Sequence, residues 1–220
     1  MTPYDQFQKN VEATSHYRKM YRELRSLKKL GTKGKLSAEN KYLMWLPRAM
    51  VVASMSALDA YVHQVLYDKI PRILADEKQL VPDHLAELIV DVAPLKKRND
   101  VENSIRLIRS KNGPKELADI IRERRLQFES YQAPDKIVSA FKMIGIEDIF
   151  QGVADRWTGP NSSRDDITKR LSNFVKRRNQ IAHEGDLETH HEPRAITPDY
   201  GRKCQKFNET LVDRINSVIY

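Results

Sequence analysis

The chain of 220 residues has a single cysteine, Cys204. No internal disulfide is open to it, so the fold is not stapled in the manner of small secreted domains. Glycine and proline are sparse, at eight and ten residues, which excludes collagen-like and low-complexity classes. No stretch alternates polar and apolar residues as a half-buried strand does, and no segment repeats. The first residues, Met1-Thr2-Pro3-Tyr4-Asp5, lack the basic-then-apolar layout of a secretory leader. One stretch, 43–66, is apolar enough to be weighed as a membrane span. Pro47, Arg48, Asp59 and His63 interrupt it, and hydrocarbon offers such groups no partners. The expectation is a cytoplasmic protein that makes no use of a membrane.

Positive charge is what the chain has in excess. The formal net charge is +8 and the pI is about 9.5, a balance that favours polyanionic partners and says nothing of fold. The charge is unevenly spread. The first segment carries Lys9, Arg18, Lys19, Arg22, Arg25, Lys28, Lys29, Lys33 and Lys35 against Asp5, Glu12 and Glu23. A second basic run is Lys169-Arg170 followed by Lys176-Arg177-Arg178. The sign then reverses at Glu184, Asp186, Glu188 and Glu192. Either run is ordinarily a solvated helix face. Together they form an RNA footprint only if folding brings them to one surface.

Helical signals dominate. Residues 4–30 hold few breakers and many good helix formers, and Gly31-Thr32-Lys33-Gly34 stops them. That stop superficially resembles a phosphate-binding loop, but a helix rather than a strand precedes it. Residues 38–70 read as one long apolar helix that Pro47 must kink or restart. Further helices are expected from Pro82 to about Val92, from Pro114 to about Tyr131, from Pro134 to Met143 and from Ile146 to Arg156. Residues 95–113 are ambiguous. Ser163 can cap a helix over 164–183, and Pro198 opens a last one striped by Cys204, Phe207, Leu211, Ile215 and Val218. The fold class is all-α, an up-and-down bundle in one domain over 1–220, with 95–160 as a helical elaboration.

The helix over 164–183 breaks its own pattern. Ile167, Leu171, Phe174, Val175, Ile181 and Ala182 make an apolar stripe, and Arg178 falls within it. A charge there needs a partner or an interface, and Asp59 on the long helix is a candidate partner. Asn179 and His183 are four apart and share a face. Arginine binds phosphate bidentately, histidine exchanges protons near neutrality, and an amide can orient either. His190-His191 with Glu184, Asp186, Glu188 and Glu192 supply metal-ligand types without any fixed spacing. Cys204, on an apolar stripe, reads as packing rather than a nucleophile.

The run Lys176-Arg177-Arg178-Asn179-Gln180-Ile181-Ala182-His183-Glu184-Gly185-Asp186 resembles the signature of HEPN domains, an arginine followed by a polar residue and then, after a short spacer, a histidine. The stretch Ser54-Met55-Ser56-Ala57-Leu58-Asp59-Ala60-Tyr61-Val62-His63 is similar to the earlier central helix of the RiboL-PSP-HEPN branch. The resemblance implies a helical bundle that dimerises and places two copies of the motif in one cleft. It further implies a metal-independent endoribonuclease of single-stranded RNA, with no cofactor, acting in toxin–antitoxin or phage defence beside a cognate antitoxin or other defence protein. By the same resemblance Arg178, Asn179 and His183 are catalytic, with Asp59 supporting them and Lys176 and Arg177 meeting RNA phosphates. Two other readings stay open: a bundle that binds RNA or a partner protein without cutting, and a purely structural module with Arg178 sealed against Asp59.

Overall fold

A computed structural model describes residues 1–31, 34–92, 102, 105–107, 109–188 and 192–220. The described elements are all helical. They are α1 (Pro3–Leu27), a 3-10 turn (Ala38–Met44), α2 (Trp45–Ala75), α3 (Asp83–Val92), α4 (Gly113–Arg124), a 3-10 turn (Leu126–Phe128), α5 (Pro134–Lys142), α6 (Ile149–Ala154), α7 (Arg164–His183) and α8 (Pro198–Ile219). The chain is all-α, as its composition and breakers imply.

Helix ends follow local chemistry. Thr2 and Asp5 form a reciprocal capping box at the start of α1, with the Thr2 backbone N–H donating to Asp5 Oδ2 at 2.9 Å. Lys29 and Gly31 turn left-handed beyond its end, with φ of 56° and 66°, the usual way a helix stops. Pro47 restarts rather than kinks: a 3-10 turn precedes Trp45, and Pro47 lies in the first turn of α2, where a helix needs no N–H from it. α2 continues beyond the expected Ile70 to Ala75. Ser163 and Thr197 cap α7 and α8, each accepting from a backbone N–H three residues on. The helix expected to reach Tyr131 ends as α4 at Arg124, followed by a 3-10 turn.

The chain divides into two compact units, Met1–Tyr61 with Gly152–Tyr220, and Val62–Gln151. The elaboration expected over 95–160 thus falls partly in each. The first unit is a bundle of α1, the first half of α2, α7 and α8. Its core includes Phe7, Met50, Leu58, Tyr61, Leu171, Phe207, Leu211 and Ile215, all buried. Phe7 meets Tyr61 edge-on with ring centroids 5.9 Å apart. Asn208 on α8 donates to the Ser54 carbonyl at 3.0 Å and to its Oγ at 2.9 Å, pinning α8 to α2. Gly201 permits the close crossing of the same two helices: a Cβ there would stand 2.9 Å from Met50 Cβ.

The second unit buries Leu66, Ile70, Leu85, Ile121, Ile137 and Phe141. His63 is structural here. Its Nε2 donates to the Leu126 carbonyl at 2.9 Å and its ring packs against Tyr131 at 4.8 Å. The stretch Ala38–Ala75 is long and apolar enough to cross a membrane by length and composition, and 56% of its apolar window is buried inside the protein.

Candidate active site

α7 presents its apolar stripe to the first unit's core through Ile167, Leu171, Phe174 and Ile181, all buried. Phe174 packs against Tyr200 and Phe207 of α8, with ring centroids at 5.5 and 5.4 Å. One turn on from Phe174, the stripe position is Arg178. It is half-buried. Its Nε is shielded from solvent and has no hydrogen-bond partner among the described residues.

The other end of that guanidinium reaches outward. Arg178 Nη1 donates to Asn179 Oδ1 at 3.1 Å and lies 3.1 Å from His183 Nε2. A guanidinium has no acceptor, so His183 Nε2 must accept through its lone pair, which puts the ring proton on Nδ1. Asn179 and His183 are exposed. The three residues expected to act together therefore do meet, on the exposed end of α7. None of the hydrogen bonds of Arg178 runs to Asp59, which is half-buried within α2. Lys176 is exposed on the same helix.

Arg177 behaves differently from the expectation that it meets phosphate. Its side chain is only 12% exposed and grips Asp186 with both nitrogens, Nη2 donating to Oδ2 at 3.0 Å and Nη1 to Oδ1. Arg48 of α2 donates through Nε to the same Asp186 Oδ2. Asp186 is fully buried and Arg48 4% exposed. The physical reason is the turn after α7. Gly185 and Asp186 are both left-handed, with φ of 63° and 58°, and the Asp186 N–H returns to the Gln180 carbonyl at 2.9 Å. This folds the carboxylate back under the helix end, within reach of Arg177 but on the side away from water.

The same two arginines hold the acidic loop. Arg48 Nη2 donates to the Arg194 carbonyl at 2.8 Å, Arg177 Nη2 to the Ala195 carbonyl at 3.3 Å. The Arg194 N–H donates to the Asp186 carbonyl at 2.8 Å, and the Arg194 side chain pairs with Glu184 at 2.9 Å. Leu187 and Pro193 form an isolated antiparallel bridge. A buried arginine–aspartate–arginine group thus fixes the chain immediately after His183. Arg48 is not distinguishable in sequence as a site residue, and Asp186 reads there only as one of several metal-ligand types, not as the partner of two arginines. The one local hint is the Gly185-Asp186 pair, since both residue types tolerate the left-handed turn.

Of the metal-ligand types in this loop, Asp186 and Glu184 are engaged by arginines, and His190 and His191 lie outside the described residues. Among the described residues no group of three or more His, Cys, Asp or Glu side chains is placed to hold a metal ion. Cys204 is fully buried, and burial pushes its thiol up to about 12, the state of a packing residue.

Residues 15–220 match the family model described as RiboL-PSP-HEPN. The match spans nearly the whole chain, including both units and the α7 site, and the protein belongs to that family. No curated protein and no solved structure matches it.

Proposed function

We propose that this protein is an endoribonuclease that cuts single-stranded RNA without a metal ion, through attack of a ribose 2′-OH on the adjacent phosphorus. The observation that carries this reading is the 3.1 Å contact between Arg178 Nη1 and His183 Nε2. It leaves a basic imidazole nitrogen beside a permanent cation, both at a solvent-facing helix end.

The chemistry follows from these groups. A phosphate oxygen of the substrate replaces His183 as acceptor of the Arg178 N–H, which releases the Nε2 lone pair. Nε2 then takes the proton of the 2′-OH as its oxygen bonds phosphorus. Arg178 balances the charge that builds on the phosphoryl oxygens. The 5′-oxygen leaves with a proton from an acid, the role of His183 from a second copy of the chain across a two-fold axis. The products are a 2′,3′-cyclic phosphate and a 5′-hydroxyl. Asn179 orients Arg178 through its Oδ1, and Lys176 draws in the backbone. Such an activity suits a toxin–antitoxin or phage-defence effector.

The test is cleavage of single-stranded RNA by the purified protein in EDTA, with analysis of the new ends. Cyclic phosphate ends are expected, DNA of the same sequence stays intact, and His183→Ala lowers the rate by about 10²–10⁴-fold. Cleavage that stops with chelator, or that survives His183→Ala, overturns the proposal.

A further inference from the structure

One cleft of the first unit plays no part in the chemistry above. It measures about 1190 Å³ and runs between the second half of α1 and the first turn of α8. Its charged lining is Arg18, Lys19, Arg22, Arg25, Lys29 and Arg202 against Glu23 and Asp199. Both carboxylates are already answered. Glu23 lies 3.8 Å from Lys19. Asp199 accepts from Arg202 at 2.6 Å and pairs with Lys203 at 3.1 Å. These hydrogen bonds hold its carboxyl below the usual range. Among the described residues Arg18, Arg22 and Lys29 carry no ion pair, and all three are exposed.

We infer that this cleft is a binding groove for the sugar-phosphate backbone of the RNA strand, separate from the Arg178–His183 site. Arg18 and Arg22 are one turn apart on α1, about 6 Å along the axis, so an extended strand can meet them with successive phosphates. The floor is preformed. Arg25 is 5% exposed and donates to the Leu30 and Gly31 carbonyls at 2.9 and 2.8 Å and to Tyr21 Oη at 3.0 Å. A rigid arginine floor in a concave trough fits a strand that can enter it, whereas a lipid surface is flat. The prevalence of arginine matches bidentate phosphate contact. The cleft also adjoins the site through packing, because Tyr200, in the turn of α8 that carries Asp199 and Arg202, meets Phe174 one turn before Arg178.

This inference rests on RNA being the substrate, and its test is read apart from cleavage. The full-length His183→Ala protein is titrated with a fluorescein-labelled single-stranded RNA across a range of salt. Arg18→Ala, Arg22→Ala and Lys29→Asn are then added together. Asparagine keeps the left-handed backbone at position 29, and a circular dichroism melt checks the fold. Binding is expected to weaken roughly ten- to a hundred-fold, with the salt slope reduced by about 2. A control with Lys115→Gln, Lys136→Gln and Lys142→Gln, of equal charge loss elsewhere, is expected to bind nearly as the parent does.

Unchanged RNA affinity in the α1 variant overturns the groove, as does an equal loss in the control. Unchanged RNA affinity with lost binding to phosphatidylserine vesicles assigns the surface to lipid instead. If the native protein cuts no RNA while the α1 variant alone loses affinity, the nuclease reading fails and the groove stands.

Discussion

Arg177 and Arg178 are neighbours on α7, yet their guanidinium groups go to opposite destinations. Arg177 turns inward to the buried Asp186 carboxylate, and Arg178 turns outward to His183 at 3.1 Å. The first anchors the loop that follows the motif, and the second belongs to the proposed chemistry. Their substitutions should accordingly separate stability from activity.

Removing the acid from the buried group leaves two arginines facing each other without compensation. Asp186→Asn keeps the size and the tolerance for a left-handed φ while deleting the charge. It is expected to cost about 3–5 kcal/mol of unfolding free energy, read from urea denaturation. A loss below about 1 kcal/mol would show that the group is solvated rather than buried.

Arg178→Lys tests the outward guanidinium. An ammonium keeps the charge but cannot offer a planar pair of donors to phosphate while contacting Asn179. RNA cleavage is expected to fall by about 10²–10³-fold, with an unchanged thermal melt, because the partners of Arg178 are exposed. A rate near that of the native protein would assign Arg178 a charge role only.

Gly201 sets the approach of α8 to α2. A Cβ at 2.9 Å from Met50 Cβ meets the fixed root of that side chain, not its flexible end. Gly201→Val should therefore destabilise by about 1–3 kcal/mol through overpacking, despite replacing a glycine in a helix. A rise in melting temperature would contradict the close crossing.

Alkaline pH gives a signed prediction. Burial raises the Cys204 thiol from 9.0 to about 12 and raises the Tyr61 hydroxyl above its usual 10.0. Both groups release protons first in the unfolded chain, so they favour the fold at neutral pH and that contribution is lost as pH rises. The urea midpoint is expected to hold steady near neutrality and decline above about pH 9. Native Cys204 should also resist a thiol reagent at mildly alkaline pH and react once the protein is unfolded.

Much of the architecture was legible because helix boundaries are local events. Ser163 ahead of an apolar stripe marks the start of α7, and the structure places it at Arg164. That Asn179 and His183 share a face was legible for the same reason, since residues four apart on one helix are neighbours whatever the tertiary fold; that Arg178 joins them, five positions before His183, depends on the reach of its long side chain. Asp59, by contrast, was a candidate partner for Arg178 as a carboxylate on the long helix, and neither charge nor helix membership encodes distance: the hydrogen bonds of Arg178 run to Asn179 and His183. The 3-10 turn before Trp45 was also hidden, because Pro47 is compatible with either a kink or a fresh start.

The amino-acid order by itself determined that this chain is helical, that it is basic, and that an arginine, an amide and a histidine crowd one helix end. Only the folded arrangement decided that Asp186 closes between Arg48 and Arg177, a contact spanning 138 positions on one side. It also decided that α1 and α8 enclose a cationic trough. Contacts within a turn are dictated by helical geometry, whereas those between distant segments depend on how whole helices pack, which no local pattern records.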